Sequence, residues 1–202
     1  MMEKIETLEM GIRRFVSVNP NKCSGCGLCE YVCSLEKNGF PNPATSRIRV
    51  IRLSPLLNTA MTCRFCDDPP CVNACPREAL RQSERGNLII VEEEKCDACG
   101  WCIQACPYGG LVMDTDKNVV MVCDLCDGEP KCVDFCPEEA LEIVSDDETA
   151  DKMLISAIEN LPKELERLSS IIKKRDLSEI FMNAEERVKK LETKLAELSG
   201  RK

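Results

Sequence analysis

The amino-acid sequence predicts an α+β fold in which a duplicated, cysteine-rich body is followed by an α-helical arm. Three observations lead to this prediction. The 202 residues contain sixteen cysteines, which fall into four groups of four with none left over. Short runs of β-branched and apolar residues separate these groups, as strands would. After residue 146 the cysteines stop, and apolar residues recur at helical spacing.

The four cysteine groups, called quartets 1 to 4, carry the chemical signal of the chain. In order they are Cys23, Cys26, Cys29 and Cys33; Cys63, Cys66, Cys71 and Cys75; Cys96, Cys99, Cys102 and Cys106; and Cys123, Cys126, Cys132 and Cys136. Quartets 1 and 3 have the spacing C-x2-C-x2-C-x3-C, which is typical of bacterial iron–sulfur ligation. Three thiolates then hold one cluster, and the fourth reaches another cluster of a pair. The sequence therefore predicts that all sixteen cysteines bind four [4Fe-4S] clusters.

Structural zinc is the alternative interpretation of these cysteines. A four-cysteine zinc site also uses C-x2-C pairs, but it separates the two pairs by a long spacer, whereas each quartet is compact. Proline also follows the fourth cysteine in quartets 2, 3 and 4, while Ser34 takes that place in quartet 1. A disulfide framework is disfavoured because cysteines two residues apart bridge poorly. Iron–sulfur clusters are thus favoured over a zinc-bearing scaffold module.

Composition narrows the possible functions and partners. The chain has no histidine, which removes the commonest acid–base residue and argues against catalysis by this chain. The formal net charge is −8, and four oxidised clusters would add about −8 more, which argues against nucleic acid and favours a basic partner surface. We see no membrane-spanning stretch and no apolar secretory region, so the cytoplasm is the expected compartment.

The body is expected to consist of short strands and helices between the ligands. Strand-like runs cover residues 15–18, 47–53, 88–91 and 119–122. Short helices are expected to begin at Pro76 and Pro137, because proline fits the first turn of a helix. Quartets 2 and 4 align with each other apart from one extra residue, Lys131, which indicates duplication of one unit.

The domain prediction follows from the end of the cysteine pattern. Residues 1–145 form the body, with outer quartets in 12–55 and 115–145 and inner quartets in 56–114, and residues 146–202 form the helical arm. Two apolar stripes with a repeat of about 3.5 residues predict a helical hairpin or arm, interrupted at Pro162 and turning at residues 173–176. The stripe either packs on the body or docks to a partner subunit or a second copy of the chain.

The order of the four quartets resembles the four-cluster ferredoxin subunits of molybdenum and tungsten oxidoreductases. That group includes the electron-transfer subunit of dimethyl-sulfoxide reductase and the ferredoxin partner of carbon monoxide dehydrogenase. Residues 42–50 also resemble the small iron–sulfur proteins linked to tungsten aldehyde oxidoreductases. The resemblance covers residues 12–145 and implies tandem bacterial-ferredoxin-like domains.

The resemblance also implies how the fourth cysteines are shared. Cluster 1 would use Cys23, Cys26, Cys29 and Cys136; cluster 2 would use Cys63, Cys66, Cys71 and Cys106; cluster 3 would use Cys96, Cys99, Cys102 and Cys75; cluster 4 would use Cys123, Cys126, Cys132 and Cys33. We call this the crossed pairing. The alternative exchanges fourth ligands between neighbouring quartets within each half of the chain, and the residues by themselves leave both open.

The expected function is electron transfer by a non-catalytic subunit between a partner oxidoreductase and a second redox partner. Tungsten aldehyde oxidoreductase is the favoured partner, on the resemblance. Carbon monoxide dehydrogenase, formate dehydrogenase, hydrogenase and a freely diffusing ferredoxin remain alternatives. Self-association through the C-terminal helices is a further option. Phe65, Trp101 and Phe135 lie between ligands and are expected to shield the clusters from water.

Overall fold

The computed structural model describes residues 13–54, 57–83 and 87–175, together with the single residues 189 and 193. The predicted mixture of short helices and strands is confirmed. In chain order the elements are β1 (Phe15–Val18), α1 (Leu28–Asn38), β2 (Arg49–Ser54), β3 (Leu57–Met61), α2 (Pro70–Asn73), β4 (Leu80–Gln82), β5 (Ile89–Val91), α3 (Trp101–Ala105), β6 (Leu111–Asp114), β7 (Val119–Val122), α4 (Lys131–Asp134), β8 (Leu141–Val144) and α5 (Asp147–Arg175).

The strands form antiparallel ribbons of two strands each in the part of the chain that the structure describes. Three ribbons join consecutive strands, β2 with β3, β4 with β5, and β6 with β7. The fourth joins the first strand to the last, with Phe15 opposite Val144 and Val18 opposite Leu141. This pairing brings the beginning and the end of the cysteine-rich region together.

The short helices pack in a nested order. Helix α1 packs against α4, and α2 packs against α3. Since α1 and α4 carry cysteines of quartets 1 and 4, and α2 and α3 carry cysteines of quartets 2 and 3, the outer quartets meet each other and so do the inner ones.

Helix α1 is longer than its counterparts because of Ser34. Its hydroxyl donates a hydrogen bond to the carbonyl of Tyr31 and accepts one from the backbone N–H of Asn42, both at 2.9 Å. A proline at this place would disrupt the helix, whereas serine lets α1 continue past Cys33 to Asn38. Gly39 then ends the helix with a φ of 76°, a conformation that glycine adopts without strain.

The prediction that helices begin at Pro76 and Pro137 was wrong. Helices α2 and α4 end before these prolines, and prolines 69, 70 and 130 instead stand at the helix beginnings. After Cys75 and Cys136 the chain turns through a residue with positive φ, Glu78 at 51° and Glu139 at 47°. A positive φ cannot continue a right-handed helix, so the chain passes directly into β4 or β8.

Helix α5 begins where the cysteine pattern ends. Asp146 caps it by accepting a hydrogen bond of 2.7 Å from the N–H of Thr149. The expectation that Pro162 interrupts the helix was wrong, because α5 runs through it to Arg175. Proline removes one hydrogen bond, but its fixed φ is close to the helical value. The second half of the predicted hairpin, from residue 176, lies outside the described residues, apart from residues 189 and 193.

The chain divides into two compact units, residues 1–159 and 160–202. The first turns of α5 therefore belong to the same unit as the cysteine-rich body. Within the described ranges, no helix is both long and apolar enough to cross a membrane. The predicted boundary at residue 146 coincides with the cap of α5 and stays a prediction.

The core of the first unit is lined by sulfur as well as by hydrocarbon. Phe15 and Phe65 are completely buried and are surrounded by small aliphatic residues from the ribbons. Five cysteines are also buried, namely Cys33, Cys63, Cys71, Cys102 and Cys132. The thiols thus occupy the place where a larger protein would have more apolar side chains.

Candidate metal centres

All sixteen cysteines are free thiols, and they differ in their access to solvent. Five are buried, nine are half-buried, and Cys26 and Cys99 alone are exposed. Because the structure describes every cysteine, this comparison covers the complete predicted ligand set. Free thiols are the form that binds iron or zinc, so the structure disfavours a disulfide framework.

The outer quartets bring their thiols together across the chain. Burial raises the pKa of the Cys23 thiol, and a negative charge on Cys136 would raise it further. Burial likewise raises the pKa of Cys132, with further increases from Cys123 and Cys33. Cys136 of quartet 4 therefore lies beside quartet 1, and Cys33 of quartet 1 lies beside quartet 4.

The inner quartets show the reciprocal arrangement. Burial raises the pKa of Cys71 to about 11, and the largest contribution from another thiol comes from Cys106. The pKa of Cys102 is raised by burial and then by Cys75. Burial also raises the pKa of Cys63, whose strongest thiol neighbour is Cys123, so an inner quartet approaches an outer one at this point.

Each fourth cysteine accepts a hydrogen bond from a backbone N–H of the following segment. The N–H groups of Ala79, Gly110 and Ala140 donate to Cys75, Cys106 and Cys136, each over 3.3 Å and each four residues along the chain. Cys33 accepts a hydrogen bond from the N–H of Arg47, also over 3.3 Å. This donor lies fourteen residues along the chain, because α1 continues past Cys33. This bond keeps Arg47 out of the strand ladder, which explains why β2 begins at Arg49 rather than at the predicted residue 47.

The first cysteine of each quartet is followed two residues later by a residue with positive φ. These residues are Gly25 (72°), Phe65 (50°), Ala98 (57°) and Leu125 (58°). In quartets 2 and 4 the N–H of this residue points back to the first sulfur, at 3.4 Å for Cys63 and 3.5 Å for Cys123. Sequence reasoning missed the last three of these residues because glycine marks the conformation in quartet 1 only.

Sequence reasoning also missed Gly110, a position where glycine is required for steric reasons. A Cβ atom at Gly110 would lie 2.6 Å from the Cα and 2.9 Å from the nitrogen of Cys63. The equivalent positions in the other repeats hold Ala79 and Ala140, both buried. Only a glycine lets the backbone before β6 approach the first ligand of quartet 2 this closely.

Positive side chains lie beside three of the thiol groups. Arg52 donates from Nε to the carbonyl of Gly25 over 2.9 Å and favours the charged form of Cys23. Arg13 likewise favours the charged form of Cys66, and Lys37 favours that of Cys126. Cations at these places stabilise thiolates and the additional negative charge of a reduced metal centre.

Thr62 supplies a further polar group between the inner and outer quartets. Its side chain is buried, and its hydroxyl has no hydrogen-bond partner of ordinary geometry among the described residues. Burial raises the pKa of the Cys123 thiol to about 11, and the nearby hydroxyl of Thr62 opposes part of this rise. A buried hydroxyl beside a thiolate is suited to donate to sulfur.

The predicted shielding aromatics have different outcomes. Phe65 is completely buried, as expected. Trp101 and Phe135 are 61% and 60% exposed, and their shielding of clusters stays a prediction. Trp101 precedes Cys102 on α3, and because neighbouring helical residues point in different directions, the buried cysteine leaves the tryptophan outside.

These residues fit iron–sulfur clusters chemically. The donors are thiols, and six of the sulfurs accept backbone hydrogen bonds, as cluster ligands do. Through the described ranges, no three acidic or cysteine side chains are gathered tightly enough to hold a single metal ion. Each ligand of a four-iron cube binds a different iron, so these ligands need not be gathered in that way.

Comparisons with known proteins agree with this chemistry. A family model described as a 4Fe-4S dicluster domain matches residues 56–146, and one described as a 4Fe-4S binding domain matches residues 16–34. The polyferredoxin-like subunit of aliphatic sulfonate oxidoreductase from Pyrococcus furiosus is 48% identical over 140 residues, covering 68% of this chain and 81% of the relative.

Two further relatives come from other oxidoreductase systems. The electron transport protein HydN of Escherichia coli is 35% identical over 156 residues, which cover 64% of this chain and 87% of the relative. The beta subunit of NADH-dependent phenylglyoxylate dehydrogenase from Aromatoleum evansii is 35% identical, over 64% of this chain but only 30% of the relative. The chain thus belongs to the 4Fe-4S ferredoxin family, among the polyferredoxin-like electron-transfer subunits of oxidoreductases.

Proposed function

We propose that this chain holds four [4Fe-4S] clusters and relays single electrons between a catalytic oxidoreductase subunit and a second redox partner. The observation that carries the proposal is the convergence of thiols from different quartets, with Cys136 beside Cys23 and Cys106 beside Cys71. The chain has no histidine, and its cysteines are all assigned to clusters, which supports a non-catalytic role.

The crossed pairing is the ligand assignment that we propose. The proximity of Cys33 to Cys132 and of Cys75 to Cys102 supports it, as does the packing of α1 on α4 and of α2 on α3. Pairing of neighbouring quartets within each half would require Cys33 to lie beside quartet 2 instead.

In this relay the residues of the chain position the clusters and tune their reduction potentials. Bound clusters supply one-electron redox chemistry. The N–H donors of Ala79, Gly110, Ala140 and Arg47 neutralise part of the charge on the fourth sulfurs. Full burial of five thiols and partial burial of nine limit the access of water, which otherwise stabilises charge and exposes the clusters to oxidants.

The identity of the catalytic partner is the finer part of the proposal. Tungsten aldehyde oxidoreductase is favoured by the resemblance of residues 42–50 to proteins linked to that enzyme. The relative at 48% identity favours a second candidate, an oxidoreductase that acts on aliphatic sulfonates. The cytoplasm remains the expected compartment.

The relay is tested first by counting iron and acid-labile sulfide per chain after purification without oxygen. Four cubane clusters require about sixteen of each. About four zinc ions per chain and no sulfide would overturn the proposal and leave a zinc scaffold. About twelve irons would indicate three clusters rather than four.

The pairing is tested by two double variants that differ in one residue. In the crossed pairing, Cys33→Ala with Cys126→Ala damages one cluster and removes about four irons, whereas Cys33→Ala with Cys66→Ala damages two and removes about eight. Pairing within each half of the chain reverses the two results. Equal losses in both variants would contradict either scheme.

The partner is tested with the complex purified without oxygen through a tag on this chain. The favoured proposal expects tungsten in the co-purified large subunit and bleaching of the cluster absorbance when an aldehyde is added. Bleaching by an aliphatic sulfonate but not by aldehydes would support the second candidate. A complex that responds to neither substrate would contradict both assignments.

A further inference from the structure

The ligand loop at the beginning of quartet 2 is held by an arginine from outside the quartet. Arg13 lies just before β1, and its Nε donates a 2.9 Å hydrogen bond to the carbonyl of Arg64, between the first two cysteines of the quartet. The side chain of Arg13 is only 13% exposed, and its guanidinium carbon lies 4.9 Å from the ring centroid of Phe15. Because a guanidinium does not lose its proton in a protein, Arg13 places a permanent positive charge against this loop.

Helix α5 supplies the negative charges that face this arginine. Asp147 in its first turn binds Arg13 over 2.6 Å and Arg64 over 3.2 Å. Asp151, one turn later, binds the same nitrogen of Arg64 over 2.9 Å. Asp67 also faces Arg13, at 3.8 Å, but its side chain is largely exposed, so water screens its charge. The guanidinium of Arg13 is therefore shared between α5 and the ligand loop.

Arg64 connects the two segments that supply ligands to cluster 2 in the crossed pairing. It belongs to the first ligand loop of quartet 2, and its guanidinium carbon lies 4.1 Å from the ring centroid of Tyr108, two residues after Cys106. A guanidinium at this distance is attracted to the face of the ring. Because the α5 carboxylates bind the same guanidinium, the beginning of α5 is attached to both segments.

The two charges of the Arg13 ion pair act on the ligand loop in opposite directions. Burial raises the pKa of the Cys66 thiol, Arg13 opposes this rise, and Asp147 adds to it. A cluster bound to Cys66 experiences the same two charges, since the sulfur is part of it. The cation favours added negative charge on the cluster, and the carboxylate disfavours it.

We propose that the beginning of α5 sets the reduction potential of cluster 2, with Arg13 and Asp147 as positioning residues of opposite effect. This inference rests on the proposed relay. When cluster 2 accepts one electron from a neighbouring centre, the charge of the cluster with its four thiolates changes from about −2 to about −3. The donor is oxidised by one electron, and no bond forms. Arg13 stabilises the reduced form and raises the potential, whereas Asp147 lowers it.

Two variants that break the same ion pair test the proposal. Arg13→Gln removes the cation, and Asp147→Asn removes the carboxylate. If the pair only stabilised the fold, both variants would loosen the ligand loop and could not move the potential in opposite directions. The full chain with its clusters is titrated without oxygen and followed by EPR. Cys66→Ser, which alters a ligand, identifies the transition of cluster 2.

We expect Arg13→Gln to disfavour reduction of cluster 2 and Asp147→Asn to favour it, each by roughly threefold to tenfold in the equilibrium constant. At about 59 mV per tenfold change for one electron, this corresponds to about 30–60 mV. Arg13→Lys keeps the charge and should stay within about twofold of the wild type.

The ion pair of Glu148 with Lys152 is the matched control. It lies on the same helix, its atoms are 2.7 Å apart, and both side chains are at least 70% exposed. Glu148→Gln and Lys152→Gln change the net charge as the test variants do, and each should shift the equilibrium constant less than twofold because water screens these charges.

Shifts of the same sign in Arg13→Gln and Asp147→Asn would overturn the proposal, as would control shifts of equal size. Loss of cluster 2 from both test variants would also overturn it, since the pair would then act only on structure. Wild-type chains without iron and sulfide would contradict the relay itself. Chains with full iron content and unchanged potentials would contradict only the role of α5.

Discussion

Replacing Gly110 by alanine should disturb one of the four proposed clusters while leaving the other three in place. The added Cβ would lie 2.6 Å from the Cα of Cys63, where ordinary contacts begin at 3.4 Å. The backbone N–H of Gly110 also donates to Cys106 over 3.3 Å. Both cysteines belong to cluster 2 in the proposed pairing, so any shift that relieves the clash displaces a ligand of that cluster.

The expected loss of stability depends on the atoms that the new methyl group contacts. Overpacking of a buried site costs roughly 1–3 kcal/mol, and the upper part of this range applies when the opposing atoms are backbone. Here they are backbone atoms of Cys63, and no flexible side chain can move aside. If all of this strain, about 2–3 kcal/mol, is in the native state, the rate of unfolding rises roughly thirtyfold to 160-fold.

The assay combines iron content with the rate at which the cluster absorbance disappears in guanidinium chloride, without oxygen. We expect Gly110→Ala to be isolated with about twelve irons, or with sixteen that are lost in a fast phase of about one quarter of the signal. Ala79→Gly and Ala140→Gly are matched controls, since these residues donate to their sulfurs in the same way. They remove a methyl group, cost about 1 kcal/mol and force no contact.

Wild-type iron content and bleaching rate in Gly110→Ala would contradict a clash with Cys63. Equal iron loss in the alanine-to-glycine controls would also count against it, because the effect would then not arise from contact with Cys63. Loss of all clusters together would show that cluster 2 is not structurally separable from the others.

Three further perturbations test other parts of the structure. Thr62→Val removes a hydroxyl beside Cys123 and should lower the reduction potential of one cluster by roughly 20–60 mV in an EPR redox titration. The control Thr59→Val should leave this potential unchanged. An unchanged potential in Thr62→Val would mean that the hydroxyl does not act on sulfur. Asp147→Asn removes the carboxylate that Arg13 binds at 2.6 Å and should destabilise the protein by roughly 0.5–1 kcal/mol after solvent screening, more than Glu148→Gln does. Because its hydrogen bond to Arg13 lowers the pKa of Asp147, this difference should be constant from pH 8 to pH 5 and diminish only below about pH 4; a decrease near pH 6 would contradict the assignment. Removal of iron with a chelator and an oxidant should abolish the β signal in circular dichroism, because sulfur lines the core; a cooperatively folded metal-free chain would contradict this dependence.

Much of the secondary structure between the ligands could be predicted, but helix positions could not. The strands at residues 15–18 and 119–122 are as predicted, because short runs of β-branched residues between turns are a local signal. Prolines 76 and 137 were wrongly assigned to helix beginnings, since a proline fits a tight turn as well as a first helical turn. Glu78 and Glu139 then adopt a positive φ that their residue type does not announce.

The donor chemistry could be predicted from the sequence alone, because cysteine spacing within a quartet acts over a few residues and needs no tertiary information. The family and the role in electron transfer could likewise be predicted, from the order of the quartets. Tertiary structure decided which quartets meet, since Cys23 and Cys136 are brought together only by the pairing of β1 with β8 and the packing of α1 on α4. Only the folded structure shows that Gly110 lies against Cys63 and that Cys26 and Cys99 are the two exposed thiols, because close approach and exposure depend on residues distant in the chain.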